Sequence, residues 1–366
     1  GDPAPETGVI VRFENGTWKD SLDRTWNGTF PFNQGFEVPD NDVFAVNANT
    51  LVKGTIWNSV GNTIFGMAIN PASNLLYVTT TESPNHIRFE GPGGGGSTVQ
   101  GHLSESRVAI LDPSDGSHTS NHLNLHIDYS KLHTDPNADH AAINSQIPHS
   151  LATPLLPAIH SSGSPVYIPA FGSSKIGVFT RAQLEDPSFS SNFDPTTASA
   201  NYLSTQGGGP SGVIIDEVNN RLYVPTRFNN AVEVIDLNTG TTSAIHTLHN
   251  PEPQSIVEGR PFLYDATKTS GNGESSCHSC HIFNDFDGLN WNLGNPDEHM
   301  GINNIPQPDP ILEIVQPRGP FHSMKGPMQV QTLRGLLNSG GMHWRGDRVD
   351  GFFGTDPCTS PGYAEA

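Results

Sequence analysis

Three segments of this chain repeat one pattern: "NLLYVTTTESPNHIRF" (74–89), "SPVYIPAFGSSKIGVFT" (164–180) and "NRLYVPTRFNNAVEVIDLNTG" (220–240). In each, Tyr-Val or Tyr-Ile opens an apolar strand, and a polar turn leads to a second strand. The run Val232-Glu233-Val234-Ile235-Asp236 alternates as a half-buried strand does. "DNDVFAVNANT" (40–50) and "SRVAILDPSDG" (106–116) repeat the closing half, an apolar strand that ends in Asp or Asn before a turn. The 38 Gly and 30 Pro fit short strands joined by tight turns. One such unit cannot bury both of its faces alone, so the repeats must stack on one another.

Stacked strand repeats of this kind describe β-propeller blades. A β-sandwich would present similar strands, but the recurrence favours the propeller. "LYVTTTES" and "LYVPTRFNNAVEVIDL" resemble the propeller repeat named after its Tyr-Val-Thr-Asn tetrapeptide, which is never intact here. Three to four blades are countable. The ring is therefore expected to be incomplete in this chain, which would be a piece of something longer. Residues 1–255 are expected to form this mainly β domain, with a His-rich insertion at 90–163. After "GPGGGG" (91–96), the insertion carries His118, His122, His126, His133, His140 and His149. The first three are four apart and would share a face if helical. A zinc, copper or calcium ion is one expectation for this region. A polar surface loop is the other. "DPSDG" (112–116) is expected to be a turn rather than a calcium loop.

From about residue 250 the texture changes, the domain boundary is placed near 255, and 256–366 is expected to be a small, mostly helical or irregular cytochrome c-like domain, truncated at its C-terminus. The chain has three cysteines, too few for a disulfide framework. Two of them lie in Cys277-His278-Ser279-Cys280-His281, a string that shuffling would produce about once in a thousand sequences. Two thiols at this spacing can add to the vinyl groups of a haem, and the imidazole that follows reaches the iron. Cys277, Cys280 and His281 are therefore expected to hold one covalent haem c, with His281 as proximal iron ligand. A zinc site would need more ligands than distant Cys358 supplies. A thioredoxin-like pair would need a βαβ context.

"GRPFLYDATKTSGNGESSCHSCH" resembles the approach to the haem in the bacterial di-haem cytochrome c peroxidase and MauG superfamily. "FDG" (286–288), "TLRGLL" (332–337) and "HWRGDR" (343–348) resemble later segments of that family, in the same order. The resemblance covers about residues 258–350. It implies a haem domain fused to a propeller, outside the cytoplasm; the single haem motif departs from the two that the family's peroxidases need, and so argues against peroxidase chemistry. The distal ligand stays open: Met328 is the first candidate, Met324 the second and His343 the third, with His299, Met300 and Met342 nearby and an open iron also allowed. Arg318, Lys325, Arg334, Arg345 and Arg348 are five of the chain's 18 Lys and Arg. Arg345 and Arg348 are the candidates for pairing with haem propionates.

A net charge of −19 argues against nucleic acid and anionic membranes, and suits a basic redox partner protein or a homo- or hetero-oligomer. No apolar run has the length of a membrane span. The expected function is an extracytoplasmic (periplasmic or extracellular) c-type cytochrome that carries electrons, with the propeller as docking platform. The alternatives are a peroxidase or MauG-like oxidoreductase and a surface assembly module.

Overall fold

The computed structural model describes residues 11–14, 17–19, 23–25, 41–87, 102–129, 145–292, 306–308, 315–317 and 327–335. The chain divides into two compact units. The larger comprises residues 28–84 and 100–280, the smaller 1–27, 85–99 and 281–366. Within the smaller unit, β1 (Arg12–Glu14) and β2 (Thr17–Lys19) form a short antiparallel pair.

The larger unit opens with an antiparallel ribbon, β3 (Val43–Val46) and β4 (Lys53–Trp57). Three four-stranded antiparallel sheets follow, each with its strands side by side in chain order. Sheet A holds β5 (Thr63–Ile69), β6 (Leu76–Glu82), β7 (Glu105–Leu111) and β8 (His118–His122). Sheet B holds β9 (Ala158–Ile159), β10 (Val166–Ala170), β11 (Lys175–Phe179) and β12 (Leu203–Ser204). Sheet C holds β13 (Ile214–Asp216), β14 (Arg221–Thr226), β15 (Ala231–Asp236) and β16 (Thr241–Thr247). The chain is thus mainly β, and up-and-down four-stranded sheets are compatible with a propeller.

The turns follow from their side chains. Asp112 Oδ1 accepts from the Ser114 N–H at 2.7 Å, and Asp236 Oδ1 from the Asn238 N–H at 2.7 Å. In both turns the fifth residue, Gly116 at φ +80° or Gly240 at φ +68°, closes the hairpin in the left-handed region. Asn70 accepts from the Ala72 N–H in the same way, and Asn74 at φ +60° ends that turn. The "DPSDG" carboxylate is therefore engaged in shaping the β7–β8 hairpin.

Alternation along the strands decides what packs on what. Val78, Ala109 and Leu111 point to the ribbon, where they meet Val43, Trp57 and Val60. Their neighbours Tyr77, Val108 and Ile110 point the other way and meet Val166, Ile168 and Phe179 of sheet B. Tyr167 and Ile176 leave the opposite face of sheet B to meet Leu222, Val224 and Ile235 of sheet C. Ribbon, A, B and C are consecutive layers, each covered by the next, as the repeat pattern requires. Three short helices, α1 (Arg181–Leu184), α2 (Phe189–Asn192) and α3 (Pro195–Ala198), fill the β11–β12 connection. Leu184, Phe189 and Phe193 from this segment join the core between A and B.

"SRVAILDPSDG" is a strand and turn of sheet A, as the echo of a closing half implies. Its strand β7 pairs with β6 over seven residues, Leu76–Glu82 against Glu105–Leu111, despite the long Gly-rich connection. Residues 90–163 therefore supply half of sheet A and the edge strand of sheet B, rather than lying between blades. His118–His122 is strand, not helix, because pairing with β7 outweighs the four-residue spacing.

Candidate functional site

The segment ahead of the cysteines is built onto the larger unit. Helix α4 (Gln254–Tyr264) ends at Asp265, whose side chain caps α5 (Ala266–Thr269) by accepting from the Thr267 N–H at 2.9 Å. Arg260 is buried. Its guanidinium donates to the Arg227 carbonyl at 2.7 Å and pairs with Glu252. Tyr264 packs edge-on against Phe171 with ring centroids 5.2 Å apart. The texture change near residue 250 thus falls inside a region that packs with the β sheets. The first unit continues to Cys280.

"SGNGESS" then turns the chain tightly. Ser270 Oγ accepts from the Gly273 N–H at 3.1 Å, and Asn272 Oδ1 accepts from the Glu274 N–H at 3.1 Å. Ser150 Oγ donates to the Asn272 carbonyl at 2.6 Å. Gly273 has φ +77°, and a Cβ there would lie 3.0 Å from Ile147 Cα. Gly273→Ala is therefore expected to cost about 1–2 kcal/mol from the left-handed backbone alone, with more from the contact. A urea titration checks this, and an unchanged midpoint would contradict it.

Glu274, 1% exposed, accepts from four donors: Ser106 N–H at 3.1 Å, Asn124 Nδ2 at 2.7 Å, His122 Nε2 at 2.8 Å and Tyr129 Oη. Ser275 Oγ donates to the Ser104 carbonyl at 3.3 Å. Glu274 thereby fastens the cysteine segment to β7, β8 and the turn that follows. Burial pulls the His122 pKa down, but the charge and hydrogen bond of Glu274, helped by Glu105, outweigh it, and the imidazole ends above its ordinary value.

Cys277–Ser279 forms one 3₁₀ turn, closed by Cys280 N–H to the Cys277 carbonyl at 3.3 Å. Ser279 Oγ accepts from the Ser276 N–H at 3.1 Å. His278 is fully buried, edge-on to Tyr264 at 4.9 Å between centroids. The turn is pinned by its middle residues while Cys277 is exposed and Cys280 half-buried, and neither is in a disulfide.

His281 begins the described part of the smaller unit that contains the later motifs. Its Nδ1 lies 2.7 Å from the Gln331 carbonyl oxygen. A carbonyl only accepts, so the proton sits on Nδ1 and Nε2 carries the lone pair. Phe283 and Asn284 take left-handed φ values of 48° and 67°. The Asn284 carbonyl accepts from Leu333 N–H at 2.9 Å and Thr332 Oγ1 at 3.1 Å. "TLRGLL" thus meets the loop that carries His281 through backbone groups. Arg334 donates to the Phe283 carbonyl at 3.3 Å and pairs with Asp285 at 3.0 Å. In "FDG", Asp287 accepts from Trp291 Nε1 at 2.7 Å and Leu289 N–H at 2.9 Å, and burial still raises its carboxyl pKa. Gly288 takes φ +77°.

Met328 lies on β20 (Pro327–Gln329), directly opposite buried Trp291 of β17 (Asn290–Asn292), and is half-buried. In the same unit β18 (Pro306–Pro308) and β19 (Val315–Pro317) pair with each other. Met324, His343, Arg345 and Arg348 lie outside the described residues, as do His299, Met300, Met342, Arg318, Lys325, Cys358, His133 and His140. Of the insertion histidines that are described, His126 Nε2 contacts the Gln146 carbonyl and Ser150 Oγ, both at 3.1 Å, and His149 Nδ1 contacts Ser199 Oγ at 2.6 Å. Among the described residues no group of three or more His, Cys, Asp or Glu is arranged to hold a metal ion. No described helix is long and apolar enough to cross a membrane.

Sequence reasoning missed Glu274 and its partners. Only its place just before the cysteines marked it, because its partners lie 145 to 168 residues away.

No protein-family model matches the chain, and no curated protein matches it. Among solved structures it is similar to Kuenenia stuttgartiensis hydrazine synthase, with 14% identity over 53% of this chain and 54% of that one, at a TM-score of 0.34. It is also similar to Pseudomonas aeruginosa periplasmic gluconolactonase, with 12% identity over 58% and 50%, at 0.34. A nidogen/laminin complex matches with 12% identity over 64% and 59%, at 0.33. The chain spans about half the length of these proteins, and likeness at this level carries no argument about family or function.

Proposed function

We propose that this chain is an extracytoplasmic c-type cytochrome that carries electrons through one haem attached at Cys277 and Cys280, with sheets A to C as propeller blades forming its platform. The observation that carries this reading is the state of the motif's own side chains. Two cysteines outside any disulfide bracket a single 3₁₀ turn whose intervening residues are buried. The next residue is an imidazole whose Nδ1 is already held by a main-chain carbonyl. Haem c needs two accessible thiols close in the chain and an Nε2 lone pair for iron, and these residues fit it. When bound, the haem would supply a one-electron centre.

Each residue then has a task. Cys277 and Cys280 fix the porphyrin by thioethers. The Gln331 carbonyl sets the tautomer and ring orientation of His281, as partners of ligating histidines do. Glu274, Ser150 and Gly273 hold the segment that leads to the two cysteines against the β core.

Expression of the whole chain in an exporting host able to attach haem c tests this. The purified protein is expected to exceed its polypeptide mass by one haem and to give one haem in a pyridine haemochrome assay. Cys277→Ala/Cys280→Ala should lose both signals. A wild-type mass equal to the polypeptide alone would overturn the reading. High-spin ferric iron that reacts with peroxide would replace electron transfer with an enzymatic role.

A further inference from the structure

Three residues before the exposed cysteine turn and across sheet A lies a cluster of titratable groups that neither tethers nor ligates a haem. It gathers His102, Glu105 and Arg107 of β7 and its approach, His122 of β8, Tyr129 beyond β8, and Glu274. His102 Nε2 contacts Glu105 Oε1 at 2.8 Å, and Arg107 Nε donates to Glu105 Oε2 at 2.8 Å. The Tyr129 ring stacks on His102 at 3.6 Å and 12°, and its hydroxyl donates to Glu274. The same hydroxyl lies 3.4 Å from His122 Nε2, which contacts Glu274 at 2.8 Å. Arg107 and His122 are opposite each other in the β7–β8 register. His126, four residues beyond His122, feels the charge of Glu274 and of His122.

Two features distinguish this cluster from an ordinary buried ion pair. It holds two carboxyl groups and one guanidinium, so a proton on an imidazole would balance it. It is also graded in exposure, from His102 at 26% through His122 at 12% to Glu274 at 1%. Its half-buried rim therefore meets water while its floor is the residue that anchors the cysteines.

We propose that the His122–Glu274–Tyr129 cluster is a proton-binding site coupled to the oxidation state of the centre held at Cys277 and Cys280. This rests on the cytochrome reading. Glu274 and Cys277 are three residues apart, so their Cα atoms are separated by at most about 11 Å. An electron arriving at the centre removes one positive charge from that neighbourhood, and a buried site is little screened by salt. In the reduction step one electron enters from a one-electron donor protein, and a hydronium ion at the solvent-facing rim gives up one proton: its O–H bond breaks as an N–H bond forms on the His122 imidazole, leaving water. Glu274 and Glu105 balance the imidazolium, and His102 stands where the cluster meets solvent. By reciprocity, a proton affinity that rises on reduction makes the midpoint potential fall as pH rises.

The test uses the whole haem-loaded chain. Potentiometry from pH 5 to pH 9 would be combined with NMR titration of the His122 ring in the oxidised and reduced protein. The proton affinity of His122 is expected to rise at least about fivefold on reduction, and the potential to fall across the interval between the two pKa values. A tenfold rise would correspond to about 59 mV for a one-electron couple. His122→Gln, which keeps a polar atom towards Glu274, should give a potential independent of pH over this range. Equal His122 affinities in the two oxidation states would overturn the coupling, with no variant needed. An unchanged pH slope in His122→Gln would also overturn it. Purified protein without haem would instead overturn the cytochrome reading, and the coupling with it, so the two failures are told apart by the haemochrome assay.

Discussion

Glu274→Ala is expected to destabilise the larger unit by about 3–5 kcal/mol, read as a lower urea midpoint at unchanged slope. The carboxylate is the shared acceptor for Ser106 N–H, Asn124 Nδ2, His122 Nε2 and Tyr129 Oη. Truncation leaves these donors facing a dry gap, and the desolvation of the orphaned backbone N–H and amide is not recovered elsewhere. Glu274→Gln keeps an acceptor oxygen of the same shape and should cost about 1–3 kcal/mol. The pH dependence carries a sign. The His122 pKa is raised by Glu274 against the pull of burial. Its contribution is therefore fully present below the ordinary imidazole pKa and is lost as pH rises through the folded value. The alanine variant should thus differ from wild type most at pH 5.5 and less at pH 9. Glu105, held down to about 2 by His102, His122 and Arg107 against its own burial, acts in the opposite direction at strongly acid pH. A loss below about 1 kcal/mol for Glu274→Ala would mean that the cysteine segment is not fastened to sheet A by this carboxylate.

The same residues explain what could and could not be read from the sequence. The strands of "NRLYVPTRFNNAVEVIDLNTG" were legible because period-two alternation and a left-handed Gly240 are local properties. The Cys277-His278-Ser279-Cys280-His281 string is equally local, since its spacing lies within five residues. The α1 segment also had a local signature, Thr180 with Gln183 three residues later, which forms a capping box in the structure. Partners distant in sequence were not legible. The β6–β7 pairing spans the Gly-rich connection, and only the finished ladder reveals that "SRVAILDPSDG" completes sheet A. The four-residue spacing of His118, His122 and His126 would set them on one face only in a helix. The register with β7 instead puts His118 and His122 at opposite ends of a strand, opposite Leu111 and Arg107. Glu274 was silent for the same reason, because a buried carboxylate is defined by its donors, and none of those donors is near it in the chain.

His281→Gly is expected to separate tethering from ligation. In the cytochrome reading the thioethers at Cys277 and Cys280 remain, so the mass and haemochrome count should stay at one haem. The visible spectra of both oxidation states should change, because the proximal nitrogen is gone. Free imidazole should restore the wild-type bands only at high concentration, since the tethered side chain acts at a far larger effective molarity than a dissolved one. Gln331→Ala supplies the contrast. The group that holds His281 is the main-chain carbonyl of residue 331, 2.7 Å from Nδ1, and the Gln331 side chain is exposed. Deleting that side chain leaves the acceptor in place, so spectrum and potential should match wild type. A His281→Gly protein with wild-type spectra would remove this residue from the iron. A large spectral change in Gln331→Ala would mean that the orientation of His281 is set by something other than the backbone of "TLRGLL" and its neighbours. Both outcomes bear on the same physical point: this imidazole is aimed by a hydrogen bond that the sequence at position 331 cannot abolish, which leaves its other nitrogen free to bind.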